Sequence, residues 1–275
     1  MELCELLTRV RERAPLVQCI TNFVTVNDCA NILLAAGASP TMAEDIREVE
    51  EAVAGADGLV CNLGAIEKVD SMVAAGQRAN ALGKPVVFDP VAAGGTSLRR
   101  RMSARLLEQV HFAAIRGNAS EIRGLMQRGT GGSGVDVSAL DRITRENLAQ
   151  TLPLLKELAV RTGSVIAVSG ALDVVTDGAR TALIENGCPT MARITGSGCM
   201  LTTLIGAFCA AAPEAPFEAT CAAMAAMGVC GELAEERRLQ NGTGNAAFRT
   251  DLIDAVFNLT EEQLKARMRY EVYEG

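Results

Sequence analysis

A turn suited to holding an anion sits beside a thiol in Thr195-Gly196-Ser197-Gly198-Cys199, and an apolar stretch from Met200 to Ala212 follows it. A glycine-rich turn opening into a helix leaves the first backbone N–H groups without intrahelical partners, and the helix dipole adds partial positive charge there. Gly196 and Gly198 carry no Cβ that would keep a phosphate off this backbone. Cys199 falls on the first helical turn, where a hydroxyl lying beside the phosphate would meet its sulfur. The same residues also describe a plain loop before a buried helix, with Cys199 as a small apolar filler.

Other polar residues follow apolar runs directly. Asp89 ends Val86-Val87-Phe88 just before Pro90, which stops a strand. Its carboxylate organises a turn, or it supplies oxygen to a Mg²⁺ bridging nucleotide phosphates. Asn118 and Glu121 have the spacing of a capping box, and Glu121 on a first helical turn also offers the second carboxylate of a hydrated Mg²⁺ site. Arg116 offers bidentate donors to phosphate, or a surface ion pair. Met42, in a loop after Ser39-Pro40-Thr41, is a soft wall for an aromatic ligand or an anchor into the core. His111 is the only histidine and begins a strand at the end away from these groups, a structural position. Without a second histidine, a Ser–His–Asp or Cys–His device and a multi-histidine zinc site fall away. A strict Gly-x-Gly-x-x-Gly after the first strand is also missing, which argues against a nicotinamide dinucleotide enzyme.

The elements that must position these groups alternate. Short apolar runs at Leu16–Ile20, 58–61, 85–88, 111–115 and 164–168 predict buried strands; 24–36, 44–54, 67–82, 98–109, 118–127 and 144–162 predict helices, with Gly37 and Gly83 as C-caps. This alternation implies an α/β fold, a mostly parallel central sheet with helices on both faces. Asp173–Thr176 and Arg180–Ile184, joined by Asp177-Gly178-Ala179, predict an antiparallel hairpin at the sheet edge. From residue 198 the pattern is helical, over 198–212, 216–239, 245–257 and 260–270, and the glycine-rich 128–135 predicts a loop or lid. No shift in composition marks a boundary, so 1–275 is expected to form one domain. Ligands of open α/β sheets bind beyond the carboxyl ends of the strands. Those ends carry Thr21-Asn22, Asn62, Asp89, Arg116-Gly117-Asn118 and Ser169-Gly170, a row that suggests one shared polar site.

Composition narrows the function class. A net charge of −7, no Trp and only two Tyr disfavour a nucleic-acid surface. Nine cysteines, an odd number with no Cys-x-x-Cys, fit free thiols in a reducing compartment. The apolar runs 200–212 and 219–231 are short for a bilayer span, and the N-terminus has no signal-peptide pattern. A cytoplasmic protein with no membrane contact is the expectation.

Six ordered motifs together resemble hydroxyethylthiazole kinases, the thiamine-salvage branch of the ribokinase-like kinases. They are Gln18-Cys-Ile-Thr-Asn-Phe-Val-Thr-Val-Asn27, Ala38-Ser-Pro-Thr-Met-Ala43, Asp89-Pro-Val-Ala-Ala-Gly94, Arg116-Gly-Asn-Ala-Ser-Glu-Ile122, Ser169-Gly-Ala-Leu-Asp-Val-Val-Thr-Asp-Gly178 and Thr195-Gly-Ser-Gly-Cys-Met-Leu201. The resemblance implies a ribokinase-like three-layer sandwich that phosphorylates the hydroxyl of 4-methyl-5-(2-hydroxyethyl)thiazole with ATP. It also implies a homotrimer with the thiazole pocket near a subunit interface. By motif, Asn22, Met42 and Gly196 would contact the thiazole; Arg116, Ser169 and Gly198 would contact ATP; Asp89 and Glu121 would organise Mg²⁺. Family members often carry Thr where Ser169 stands here. Cys199 is the catalytic candidate, at a position where the wider superfamily usually has an Asp base, and it is expected to position the alcohol and assist its deprotonation only modestly. A hydroxymethylpyrimidine-type kinase, a cysteine-nucleophile acyl transferase and a non-catalytic nucleotide-binding protein are the alternatives. The first would favour Asp at 199, and the second lacks a histidine partner.

Overall fold

Apolar runs bounded by Gly, Pro and polar residues form the strands of one sheet. They are β1 (Leu16–Ile20), β2 (Ser39–Thr41), β3 (Gly58–Asn62), β4 (Val86–Asp89), β5 (Ala114–Asn118), β6 (Val165–Ser169), β7 (Asp173–Thr176), β8 (Arg180–Ile184) and β9 (Tyr270–Glu274). Their order is β2-β1-β3-β4-β5-β6-β7-β8-β9; the first six run parallel and the last three join antiparallel. This computed structural model describes residues 2–126 and 143–274, so the predicted loop at 128–135 lies outside the described residues.

Helices cover both faces. In chain order they are α1 (Glu5–Arg13), α2 (Val26–Ala36), α3 (Val49–Gly55), α4 (Val69–Ala81), α5 (Ser97–Gln109), α6 (Ala119–Met126), α7 (Leu148–Thr162), α8 (Ser197–Ala211), α9 (Pro216–Asn241), α10 (Asn245–Asn258) and α11 (Glu261–Arg267). Side chains alternate across the strands. Val60 and Val87 join the core under α1, α2 and α8 to α11, whereas Leu59, Cys61, Val86 and Phe88 join the core under α3 to α7. Two apolar cores around one sheet make the three-layer arrangement expected from near-continuous apolar strands. All nine cysteines are free thiols, and only Cys188 and Cys199 are not fully buried.

Several elements differ from the sequence reading. Strand β2 was expected as loop; only three residues long, it pairs with β1 at the sheet edge, where Pro40 is tolerated because one side needs no donor. Strand β5 begins at Ala114, later than the expected 111, because its register follows Val87 of β4 and Val165 of β6. Arg116 and Gly117 therefore lie within the strand and not beyond it. The expected helix 44–54 starts only at Val49, since Asp45 closes a turn to Glu48 and Val49. The last helix stops at Arg267, and the alternating Tyr270–Glu274 becomes β9 against β8. The hairpin is thus antiparallel as expected, but β9 and not β8 forms the edge. Helix α9, expected over 216–239, runs two residues further, to Asn241, and has 26 residues. By length and composition it could cross a membrane, yet 83% of its apolar window is buried inside the protein.

Candidate active site

The carboxyl ends of β1, β3, β4, β5 and β6 converge on the first turn of α8. Gly196 caps that helix with φ +86°, a conformation that L side chains rarely adopt. A Cβ at Gly196 would stand 2.7 Å from Thr25 Cγ2, so the turn is closed sterically as well. Gly198 makes room for a neighbour, because a Cβ there would lie 2.5 Å from Arg116 Nη1. The Arg116 guanidinium, only 8% exposed, therefore rests against the helix N-terminus itself.

Hydrogen bonds link the strand-end residues into one network. Asn22 Nδ2 donates to Cys199 Sγ at 3.4 Å and to Asn62 Oδ1 at 3.2 Å. Asn62 Nδ2 donates to Cys199 Sγ at 3.2 Å and to Asp89 Oδ2 at 3.1 Å, while its Oδ1 accepts Gly64 N–H at 2.8 Å. Every polar position of the Asn62 amide is thereby used, which determines its orientation. Thr202 Oγ1 donates to the same Asp89 oxygen at 2.8 Å, and Arg116 Nη1 approaches it at 3.9 Å. Arg116 Nη2 donates to Ser169 Oγ.

Among the described residues, two buried polar atoms within this network have no partner, Asp89 Oδ1 and Arg116 Nε. Buried groups are almost always hydrogen-bonded, so such a pair at a crevice calls for a ligand. Burial pushes the Asp89 carboxyl up to about 6, with Arg116 opposing and Glu121 adding to the rise. Asp173, held by Gly170 N–H at 2.8 Å, is pushed up to about 7 by burial. The Cys199 thiol is raised by burial and by the Asp89 charge, with the Thr25, Asn62 and Asn22 hydrogen bonds opposing. A thiol raised in this way is not an activated nucleophile. His111 lies at the opposite end of the sheet beside Gly83 and Gly163, so the acyl-transfer reading has no histidine near its cysteine.

Glu121 is a capping residue in the structure. Its Oε2 accepts Asn118 N–H at 2.9 Å, Asn118 Oδ1 accepts Glu121 N–H at 2.9 Å, and Oε1 accepts Ala92 N–H at 3.0 Å. The last bond ties α6 to the loop after Asp89. Met42 stands apart from the Cys199 network. It follows β2, half-buried against the core, in a loop held by Gln18 Nε2 donating to Ala43 O at 2.8 Å. Beside Arg116, Ser169 and Gly198 opens a cavity of about 570 Å³ whose far side carries Cys188, Met191, Met224 and Met227.

Sequence reasoning placed Asn62 in the polar row at the strand ends without a role of its own, and gave Thr202 and Asp173 none. Thr202 stands three residues after Cys199, hence on the same helix face, a signal that was available. Asp173 read only as the start of a strand.

The comparisons with known proteins agree with this geometry. The family model described as the hydroxyethylthiazole kinase family matches residues 7–262. A hydroxyethylthiazole kinase of Clostridium acetobutylicum is 45% identical over 272 residues, covering 98% of this chain and 99% of that protein. One from Methanobrevibacter smithii is 41% identical, covering 98% and 96%. The solved hydroxyethylthiazole kinase from Pyrococcus horikoshii superposes with a TM-score of 0.85 at 36% identity, covering 99% of each chain. The pyridoxal kinase of Staphylococcus aureus shares the fold alone, with a TM-score of 0.61 at 14% identity. Matched along nearly its whole length, with the thiol, the carboxylate and the glycine-rich turn gathered at the carboxyl ends of the strands, the chain belongs to the hydroxyethylthiazole kinase family.

Proposed function

We propose that this chain transfers the γ-phosphoryl group of ATP to the hydroxyl of 4-methyl-5-(2-hydroxyethyl)thiazole, giving the monophosphate and ADP, in thiamine salvage. The observation that carries the reading is the convergence of Cys199, Asp89 and Arg116 on the open N-terminus of α8. Phosphoryl transfer asks chiefly for positioning and charge stabilisation, and this cluster offers both. Backbone N–H groups of the 196–199 turn receive the migrating phosphoryl oxygens, and Arg116 with Ser169 and Gly198 binds the polyphosphate. Asn22 and Gly196 border the thiazole, whose alcohol faces the Cys199 sulfur, and Met42, apart from them within one subunit, would reach it across the trimer interface.

Asp89 Oδ1, buried without a partner, fits a hard cation. Asp89, with Glu121 through water, would hold Mg²⁺. When bound, that ion neutralises charge on the phosphate oxygens. Cys199 anchors the acceptor hydroxyl: two amide N–H groups converge on its sulfur, and its raised pKa keeps it a thiol near neutral pH. Cys199→Ala is therefore expected to lower kcat about 10- to 100-fold with the thiazole KM little changed, at or below the lower end of the roughly 100- to 10,000-fold that a positioned acid or base supplies. Complete loss of turnover with binding intact would make the sulfur an obligate base. The function itself is tested by an ATP- and Mg²⁺-dependent assay over a panel of heterocyclic alcohols, with mass detection of the monophosphate. A product from the pyrimidine alcohol in place of the thiazole would overturn the substrate assignment.

A homotrimer fits the surface beside Asn22. Phe23 is 88% exposed, and Val24, Leu34 and Ile46 are each more than half exposed. Apolar side chains exposed together mark an association surface. Phe23→Asp is expected to lower the mass measured by light scattering from trimer to monomer, and an unchanged mass would remove Phe23 from the interface. Free thiols and the use of ATP support a cytoplasmic location.

A further inference from the structure

The far wall of the 570 Å³ cavity is irregular backbone, the segment after β8 that runs from Glu185 into the short 3₁₀ turn Pro189–Arg193. Irregular backbone must find partners for its polar groups. Here α9 and the last segment of the chain supply them. Glu232 Oε1, on α9, accepts Gly187 N–H at 2.9 Å, Asn186 Nδ2 at 3.2 Å and Arg269 Nη2 at 2.5 Å. Arg269 Nη2 also donates to Glu185 O at 2.7 Å, and Arg269 N–H donates to Asn186 Oδ1 at 2.7 Å. Asn186 Nδ2 completes the knot by donating to Arg267 O at 2.9 Å.

Sterics press the wall onto the same helix. A Cβ at Gly228 would stand 2.6 Å from Asn186 Cβ and 2.8 Å from Asn186 O, so only glycine lets the wall lie flush there. Cys188 Sγ donates to Gly231 O at 3.3 Å. Gly187 adopts φ +124°, and its N–H would lose its acceptor without Glu232.

We propose that Glu232 and Arg269 are positioning residues for the nucleotide: their ion pair holds Asn186, Gly187 and Cys188 as the cavity wall at the width a purine nucleoside triphosphate requires. The inference rests on the reading that ATP occupies this cavity. Neither residue shares a hydrogen bond with the Cys199, Asp89 and Arg116 group, so the pair acts on binding and not on the chemical step.

Steady-state kinetics of Glu232→Ala, Arg269→Ala and the double variant test this. Each single variant is expected to raise KM for ATP about 10-fold, as for a lost charge-assisted hydrogen bond, with kcat and the thiazole KM within about twofold. The double variant is expected to cost little more than the worse single, because the two residues act through one contact. Glu232→Gln keeps a carbonyl acceptor for Gly187 N–H and is expected to recover much of the loss. Arg116→Ala serves as a positive control for the nucleotide site. Wall variants with unchanged ATP KM beside a defective Arg116→Ala overturn the positioning role alone; if Arg116→Ala is silent as well, the assignment of the cavity to ATP falls too. A drop in kcat with unchanged KM also overturns the proposal. Should Glu232→Ala fail to fold, the half-exposed Arg269→Ala carries the same test through calorimetric binding of a non-hydrolysable ATP analogue.

Discussion

Asp89→Asn is expected to lower kcat by about two to three orders of magnitude, the scale of losing a charge that stabilises phosphoryl transfer, while making the fold more stable. The opposing signs share one cause. Asp89 is 1% exposed and burial raises its carboxyl from 3.8 to about 6. A carboxyl raised on folding favours the native state when protonated. Its contribution is fully present below about pH 4 and is lost as pH rises through about 6. At pH 7 the ionised, buried Asp89 thus costs on the order of 3 kcal/mol, and an uncharged amide removes that cost. The asparagine carbonyl can still accept from Asn62 and Thr202. A rise in Tm of about 4–8 °C at pH 7, shrinking toward pH 4, is the expected calorimetric result. The wild-type acid limb of kcat/KM should fall near pH 6. A lower Tm, or near-normal turnover, would contradict the account of Asp89 as a buried carboxylate kept for function.

Gly198→Ala is expected to lower kcat/KM for ATP about 100-fold, and to do so by displacing Arg116. An alanine Cβ would stand 2.5 Å from Arg116 Nη1, 3.1 Å from Nη2 and 3.2 Å from Cζ. The guanidinium cannot simply rotate away, since it is 8% exposed and donates to Ser169. In an Arg116→Ala background the obstacle is gone, so Gly198→Ala should there cost little. That non-additivity separates a steric effect on Arg116 from a direct effect on the helix N-terminus. Additive losses would mean that Gly198 acts through its own backbone, by contact with the phosphate.

Much of the site was readable because it depends on local rules. Thr195 to Cys199 reads as an anion turn wherever it folds, since orphaned N–H groups and missing Cβ atoms are properties of the turn itself. Asp89 before Pro90 and the pair Asn118 and Glu121 are equally local, and the structure keeps both as strand end and capping box. Strand edges were less legible. Tyr270–Glu274 reads as the tail of a helix until β8 offers an unpaired edge to it. β2, three residues with a proline, has little propensity of its own and exists because β1 lies beside it.

The chain by itself determined the alternation of buried strands and helices, the charge and thiol inventory, and the identity of the candidate phosphate and magnesium ligands. These follow from periodicity and side-chain chemistry, which act over a few residues. Only the tertiary structure decided that Asn62 would join Cys199 to Asp89, that Gly198 would be vacated for Arg116, and that Arg269 would reach back to Glu232. Each is a contact between segments tens of residues apart. Its existence depends on sheet register and helix placement, which no short window of sequence encodes.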